Sequence, residues 1–244
     1  MSTREAGRDD SRLVVAAAVL SLGIFLGAAS FGLFFHASRA QRDEVQVTGA
    51  ATRGFEADIA KWRVVLSRQV APTAIAEGYT LIAADLDRLR TRLVAAGISA
   101  DSINVSPVNA QPVWGREGER TGFNFQQSVT LISDDPGAIE SLALNPGALL
   151  EGGMFIESSQ IEYYYSGLAE LKHSLLAQAT QDARARAEEI VSADGSLGRL
   201  TQARAGVFQI TEPYSTEVAS YGVHNTASRR KEITVTVHAT FLMD

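Results

Sequence analysis

Four histidines stand in the chain, His36, His173, His224 and His238, and no two have the i, i+4 spacing by which one helix face holds a metal ion. His36 abuts an apolar N-terminal run. His173 falls on the polar side of a helical pattern, His238 on the outward side of the last strand, and His224 in a polar stretch beside Tyr221 and Asn225. All four read as surface residues. The paired acids Asp134-Asp135 could form a carboxylate dyad or a cation site. Pro136 follows at once, however, and an acceptor side chain before proline is the start of a helix. Glu188-Glu189 are adjacent in a helical pattern and cannot face one another. Ser166-Gly167 and Ser196-Leu197-Gly198 read as a helix start and a turn; no G-x-S-x-G elbow, P-loop or dinucleotide fingerprint occurs. With no cysteine, thiolate nucleophiles, disulfides, iron–sulfur clusters and cysteine-ligated zinc are all ruled out. The expectation is a protein that is not an enzyme, with no metal and no cofactor. An enzyme built on dispersed carboxylates stays open as a third reading.

Two features point to binding. In a strand, Tyr163 and Tyr165 share one face and Tyr164 takes the other. Sheet packing is one role for them; anchoring a subunit interface is the sharper one. Residues 211–230 are polar and long for a structureless loop, and such loops tend to be functional or disordered. This segment is a candidate arm for contacting a partner.

Whatever these residues do, they follow an apolar run. Residues 13–35 contain no Asp, Glu, Lys, Arg or His. As a helix, at ~1.5 Å per residue, they cross the ~30 Å hydrocarbon core of a bilayer. Arg4, Arg8 and Arg12 with Gly27-Ala28-Ala29 resemble a cleavable signal, but the run continues through Phe31, Leu33, Phe34 and Phe35. A retained anchor is expected. Arg39, Arg42 and Arg53 balance the three arginines before it, so local charge does not orient the span. Length does, because large domains translocate largely regardless of charge. The expected layout is a cytoplasmic tail at 1–12, a transmembrane anchor at 13–35, a linker at 36–43 and a periplasmic domain at 44–244. For a bacterial protein this expected layout means a single pass through the inner membrane. Gly23 and Gly27 form a GxxxG, with Ala28 and Gly32 at the same spacing, and such small residues let two membrane helices pair.

The formal net charge is −6. Setting aside Arg4, Arg8, Arg12, Glu5, Asp9 and Asp10 leaves 19 basic and 25 acidic residues, so the folded part is also −6. That excludes the positive footprint of nucleic-acid binding. The basic triplet Arg229-Arg230-Lys231 precedes a hydrophobic strand and reads as a gatekeeper against aggregation.

Periodicity supplies the elements. Val45 and Val47 lead to a turn at Thr48-Gly49, and residues 58–70 alternate, so the two strands read as a hairpin. Ile75, Tyr79, Ile82, Leu86, Leu89 and Leu93 recur every three or four residues, a helix stopped by Gly97. Strands are expected at 103–113, 123–133, 154–165 and 200–210, and a short helix from Asp135-Pro136 to Asn145-Pro146. A long helix at 167–193 would bury Leu168, Leu171, Leu175, Ala179, Ala183, Ala187 and Ile190. The chain closes on a strand with Ile233, Val235, Val237, Ala239 and Phe241 inward. The fold class is α+β, mainly antiparallel, with two long helices packed together on one sheet face. The element order hints at an internal duplication.

Several stretches together resemble the SIMPL family of bacterial secreted and membrane-anchored proteins. They are Val45-Gln46-Val47-Thr48-Gly49, residues 86–105 with Gly97-Ile98 and Asp101-Ser102-Ile103, Gly122-Phe123 with Val129 and Leu131, and Ile161. The helix segment Asp182-Ala183-Arg184-Ala185-Arg186-Ala187-Glu188, Gly195-Ser196-Leu197-Gly198 and the closing strand complete the likeness, which covers nearly all of 44–244. Glu56-Ala57-Asp58 stands where relatives commonly carry proline, and an anchor replaces the cleaved signal of secreted members. The resemblance implies an extracytoplasmic α+β domain prone to self-assembly, with no established catalysis and no site residues to carry over. The leading expectation is a membrane-anchored, self-assembling scaffolding component of the envelope, its partners the lipid bilayer, further copies and a membrane or envelope protein. The alternative is a ligand-binding or sensory module reporting to a membrane partner.

Overall fold

The computed structural model describes residues 6–38, 43–145, 147, 153–193 and 195–244, with the side chains of residues 6–13, 15–16, 34 and 36–38 outside the description. Helix α1 (Ala6–Ser38) runs unbroken for 33 residues and contains the whole of 13–35. Its described side chains lie open: Val14, Leu20, Ile24, Phe25, Phe31 and Leu33 are all exposed. Among the described residues no helix is long and apolar enough to cross a membrane. Side chains on α1 are described without a break only over residues 17–33, so a span remains a reading of the sequence. Residues 39–42 of the expected linker and residues 1–5 of the tail fall outside the described residues.

The remainder is α+β, built as two antiparallel sheets, each with its own helix and core. The first sheet takes β1 (Glu44–Glu56), β9 (Arg230–Met243), β7 (Leu197–Ala205) and β8 (Gln209–Thr211), with β9 between β1 and the other two. The second takes β2 (Ile59–Val70), β5 (Arg120–Ser133), β6 (Ile156–Tyr164), β3 (Ile103–Val105) and β4 (Asn109–Trp114). Helix α2 (Ile75–Ala95) and the short α3 (Pro136–Ala143) pack on the second sheet, and α4 (Leu168–Val191) lies on β1 and β9. The two long helices therefore do not share one face, as periodicity alone suggested.

The expected hairpin of the first two strands does not form. β1 pairs with β9 along its whole length, from Glu44 opposite Leu242 to Glu56 opposite Arg230. β2 pairs instead with β5 and β6. Ala57-Asp58 is a corner at which the chain changes sheet, fixed by Ala57 N–H to Arg229 O and Asp58 N–H to Tyr164 O. It has no Gly or Asn to form a two-residue hairpin turn. The second sheet is inserted between β1 and α4, and the first draws its strands from both ends of the chain.

Thr48-Gly49 is not a turn but lies in mid-strand. Gly49 is there because α4 passes over it: a Cβ at this position would sit 2.2 Å from Ala179 O and 2.3 Å from Ala183 N. The alanine stripe completes the approach. Ala179, Ala183 and Ala187 are fully buried against Val45, Val47, Val237, Ala239 and Phe241. The stripe ends on Val191, four residues after Ala187, while Ile190 is turned outward and exposed. Asp182, in the motif that carried the family resemblance, accepts the Ala50 N–H at 2.8 Å and is held by Arg186 at 2.8 Å. A side chain thereby occupies a donor on the outermost strand, where another chain could otherwise pair.

The second core holds Trp62, Val64, Leu66, Ile82, Leu89, Leu93, Phe125, Val129, Leu131 and Ile139, all fully buried. At ~1.5–3 kcal/mol for each large apolar side chain, this cluster is the main stabilising term of its half. The strand expected at 103–113 is divided into β3 and β4 around Pro107, both on β5. The strand expected at 200–210 is likewise divided into β7 and β8. Asp135 does cap α3, its Oδ1 accepting the Ala138 N–H at 3.1 Å, and Gly97 ends α2 with a φ of 88°.

Candidate functional site

The corner between the sheets gathers most of the unusual polar chemistry. Lys231 follows Arg230 at the start of β9, in phase with Ile233 and Val235, so the strand's own period turns it inward. It is 2 % exposed. It is thus no gatekeeper on the surface; its Nζ donates to Tyr163 O at 2.8 Å and, at short range, to Asn225 O. These two carbonyls belong to β6 and to residues 212–229, the connection between β8 and β9. One ammonium therefore ties three parts of the fold. Burial pushes the Lys231 ammonium down to about 8.

Around it, Tyr163 N–H donates to Thr226 O. Burial, and then a hydrogen bond to Glu140, push the Tyr163 phenol up to about 12. Arg229 pairs with Glu56 at 2.9 Å and with Glu140 at 3.2 Å, joining β1 to α3. Asp58 accepts Ser166 N–H at 2.8 Å and Ser166 Oγ–H at 2.5 Å. Burial alone would raise that carboxyl; the two Ser166 bonds outweigh it and hold it below its usual range. These groups are locked onto one another by hydrogen bonds and ion pairs; of them, Glu56 also lines an open concavity with Arg53, Tyr165 and Glu170.

Lys231 makes stability depend on pH. Its folded pKa lies below the ordinary lysine value of 10.5, so between about pH 8 and 10 the unfolded chain binds more protons, and stability rises with pH. The penalty of burying the charge is fully present below pH 8. We expect the native chain to gain about 1–2 kcal/mol relative to Lys231→Met between pH 7.5 and 10. Urea midpoints across that range check it; parallel curves for the two proteins would refute it.

Residues 212–229 form an ordered arm. Gln209 clamps its base: Oε1 accepts the Val223 N–H at 2.9 Å and Nε2 donates to Ala219 O at 2.8 Å. Ile210 and Asn225 add backbone bonds, and Asn225 Oδ1 gathers the Ala227 and Ser228 N–H groups. From this fixed base Tyr214 and Tyr221 stand out at 95 % and 87 % exposed, with Val218 beside them in the chain at 78 %. Tyr214 has a φ of 64°, a left-handed conformation that costs a non-glycine residue about 1–2 kcal/mol.

The tyrosine run is placed differently from its interface reading. Tyr163 is buried in the corner, Tyr165 packs on Phe55 with ring centroids 5.1 Å apart, and Tyr164 is half-buried near Glu162. The most exposed aromatics among the described residues are Tyr214 and Tyr221 of the arm, which single-sequence periodicity has no means to rank. Gly23 and Gly27 on α1 have open space where a Cβ would stand. His173, His224 and His238 are exposed, and the His36 side chain falls outside the description. Although His224 is exposed as a whole, partial desolvation of its ring, and then the charges of Lys231 and Lys172, hold its imidazole below the ordinary value. Glu188 pairs with Arg184 at 2.9 Å rather than with Glu189. Among the described residues no group of three or more His, Asp or Glu side chains could hold a metal ion.

A model of the SIMPL family, described as a protein of unknown function (DUF541), matches residues 45–241. That match spans both sheets and the arm. No curated protein matches the chain.

Proposed function

Because the chain belongs to the SIMPL family, whose description assigns no activity, we propose a function from its own surfaces: a non-enzymatic, single-pass envelope protein of a bacterial inner membrane, self-associating on its periplasmic side. The observation that carries this is α1, a helix of 33 residues whose described apolar side chains are uncovered by the rest of the chain. A lipid bilayer satisfies such a surface; water does not. The open faces of Gly23 and Gly27 suit helix pairing in lipid, and Tyr214, Val218 and Tyr221 supply exposed contact residues, on an arm clamped at its base, for further copies or an envelope protein. Strain at Tyr214 supports a contact role for the arm, since a turn of this length has no packing need for tyrosine there.

The test is the particle size of the full-length protein extracted from native membranes in mild detergent. The expected result is a multimer, shifted toward smaller species by Gly23→Ile with Gly27→Ile. A strictly monomeric particle overturns self-association, and a soluble form processed within or just after residues 13–35 overturns the anchor. A second reading, a ligand-binding or sensory module, is favoured by an open polar concavity on the first sheet.

A further inference from the structure

The outer face of the first sheet, opposite α4, carries a polar array that strand register assembles. Gln46 lies opposite Thr240, which lies opposite Gln202; in the next outward row, Thr48 lies opposite His238, which lies opposite Arg204. Side chains in such rows stand ~4.5–5.5 Å apart. The six line an open concavity of about 500 Å³ together with Val47 and Ala239.

The donor set is selective. One guanidinium, one imidazole, two amides and two hydroxyls converge, and no carboxylate lines the concavity, in a chain whose net charge is −6. Among the described residues no carboxylate pairs with Arg204, so its guanidinium is open to a ligand. Thr48 Oγ1 lies 2.8 Å from His238 Nδ1, which fixes the ring and leaves Nε2 as the nitrogen able to serve a ligand. A guanidinium beside amide and imidazole donors recognises a planar or tetrahedral oxyanion, because its paired N–H groups match two oxygens at once.

We propose that this face is a binding site for a phosphate group, with Arg204 as the charged anchor and His238, Gln46 and Gln202 as flanking donors. Two sources could present that group. One is a soluble phosphate ester. The other is a phospholipid headgroup: Gln46 is the third residue of β1, and only the five residues 39–43 separate β1 from α1, a reach of at most ~18 Å. The lipid source alone rests on the anchor reading; the soluble one stands without it.

The test uses full-length protein labelled at the histidine Cε1, with the His238 resonance assigned by His238→Gln. In neutral detergent, inorganic phosphate should shift the His238 resonance saturably while those of His36, His173 and His224 stay in place. Arg204→Gln should weaken the response about tenfold or more, the loss of one charge-assisted contact. In nanodiscs of phosphatidylcholine, adding phosphatidylglycerol should move the same resonance if headgroups are the source. A response to inorganic phosphate alone supports the soluble source. No response in either setting, or an equal response in Arg204→Gln, overturns the site. Failure of the anchor would remove only the lipid arm, so the two proposals fail separately.

Discussion

Gly49→Val should destabilise the first sheet by about 3 kcal/mol or more. Even the first added carbon would fall within 2.2–2.8 Å of Ala179 O, Ala183 N and Ala183 Cα, which are helix backbone and have no rotamer to change. The helix must lift off β1, and lifting exposes Val45, Val47, Ala239 and Phe241 together. Both tryptophans lie in the second sheet, Trp62 on β2 and Trp114 on β4. Unfolding followed by far-ultraviolet circular dichroism should therefore begin at lower urea in the variant than unfolding followed by Trp62 fluorescence. Coincident transitions at the native midpoint would show that α4 does not need the glycine.

Arg68→Met is expected to cost about 3 kcal/mol, the low end for stripping one partner from a buried charge. Asp85 is completely buried on α2, and Arg68 grips it from β2 with two bonds, Nε to Oδ2 at 2.5 Å and Nη2 to Oδ1 at 2.9 Å. The hydrogen bond to Asp85 also raises the Arg68 pKa above its usual value. Arg88 remains at 3.1 Å from Oδ1 but is half in solvent, so it offsets little. Arg68→Met with Asp85→Leu should recover most of the loss, because an apolar pair of similar volume leaves no uncompensated charge. Urea midpoints monitored at Trp62 decide it. A single variant within about 0.5 kcal/mol of the native protein, or a double variant no better than the single, would sink the argument.

Much of the fold was legible wherever one period ruled. Residues 233–241 alternate strictly and are buried at every odd position, and the alanine stripe from Ala179 to Ala187 follows the helical repeat. Pairing was not legible. β1 and β2 are separated by two residues, and nothing in Glu56-Ala57-Asp58 states that the first strand belongs with residues 230–242. Register between strands nearly 200 residues apart is decided by packing, not by local composition. Lys231 and Asp85 show a different shortfall. Position 231 is in phase with Ile233, and position 85 sits three residues after Ile82 and four before Leu89, so both charges carried a burial signal that their chemistry outvoted. The phosphate array was visible only as scattered outward residues on three strands; cross-strand register turns Thr48, His238 and Arg204 into neighbours.

The pairing of β1 also determines how the protein bears load. A pull transmitted through α1 enters the fold at Glu44 and runs lengthwise along β1. That strand lies beside β9 over all 13 of its residues. A lengthwise pull loads the ladder in shear, so its hydrogen bonds resist together rather than parting one after another from an end. The force is then spread over the central strand of the sheet before it reaches the corner at Ala57 and the inserted half beyond. A protein fastened at this point would transmit tension as a stiff link, keeping the corner and the clamped arm in shape under load.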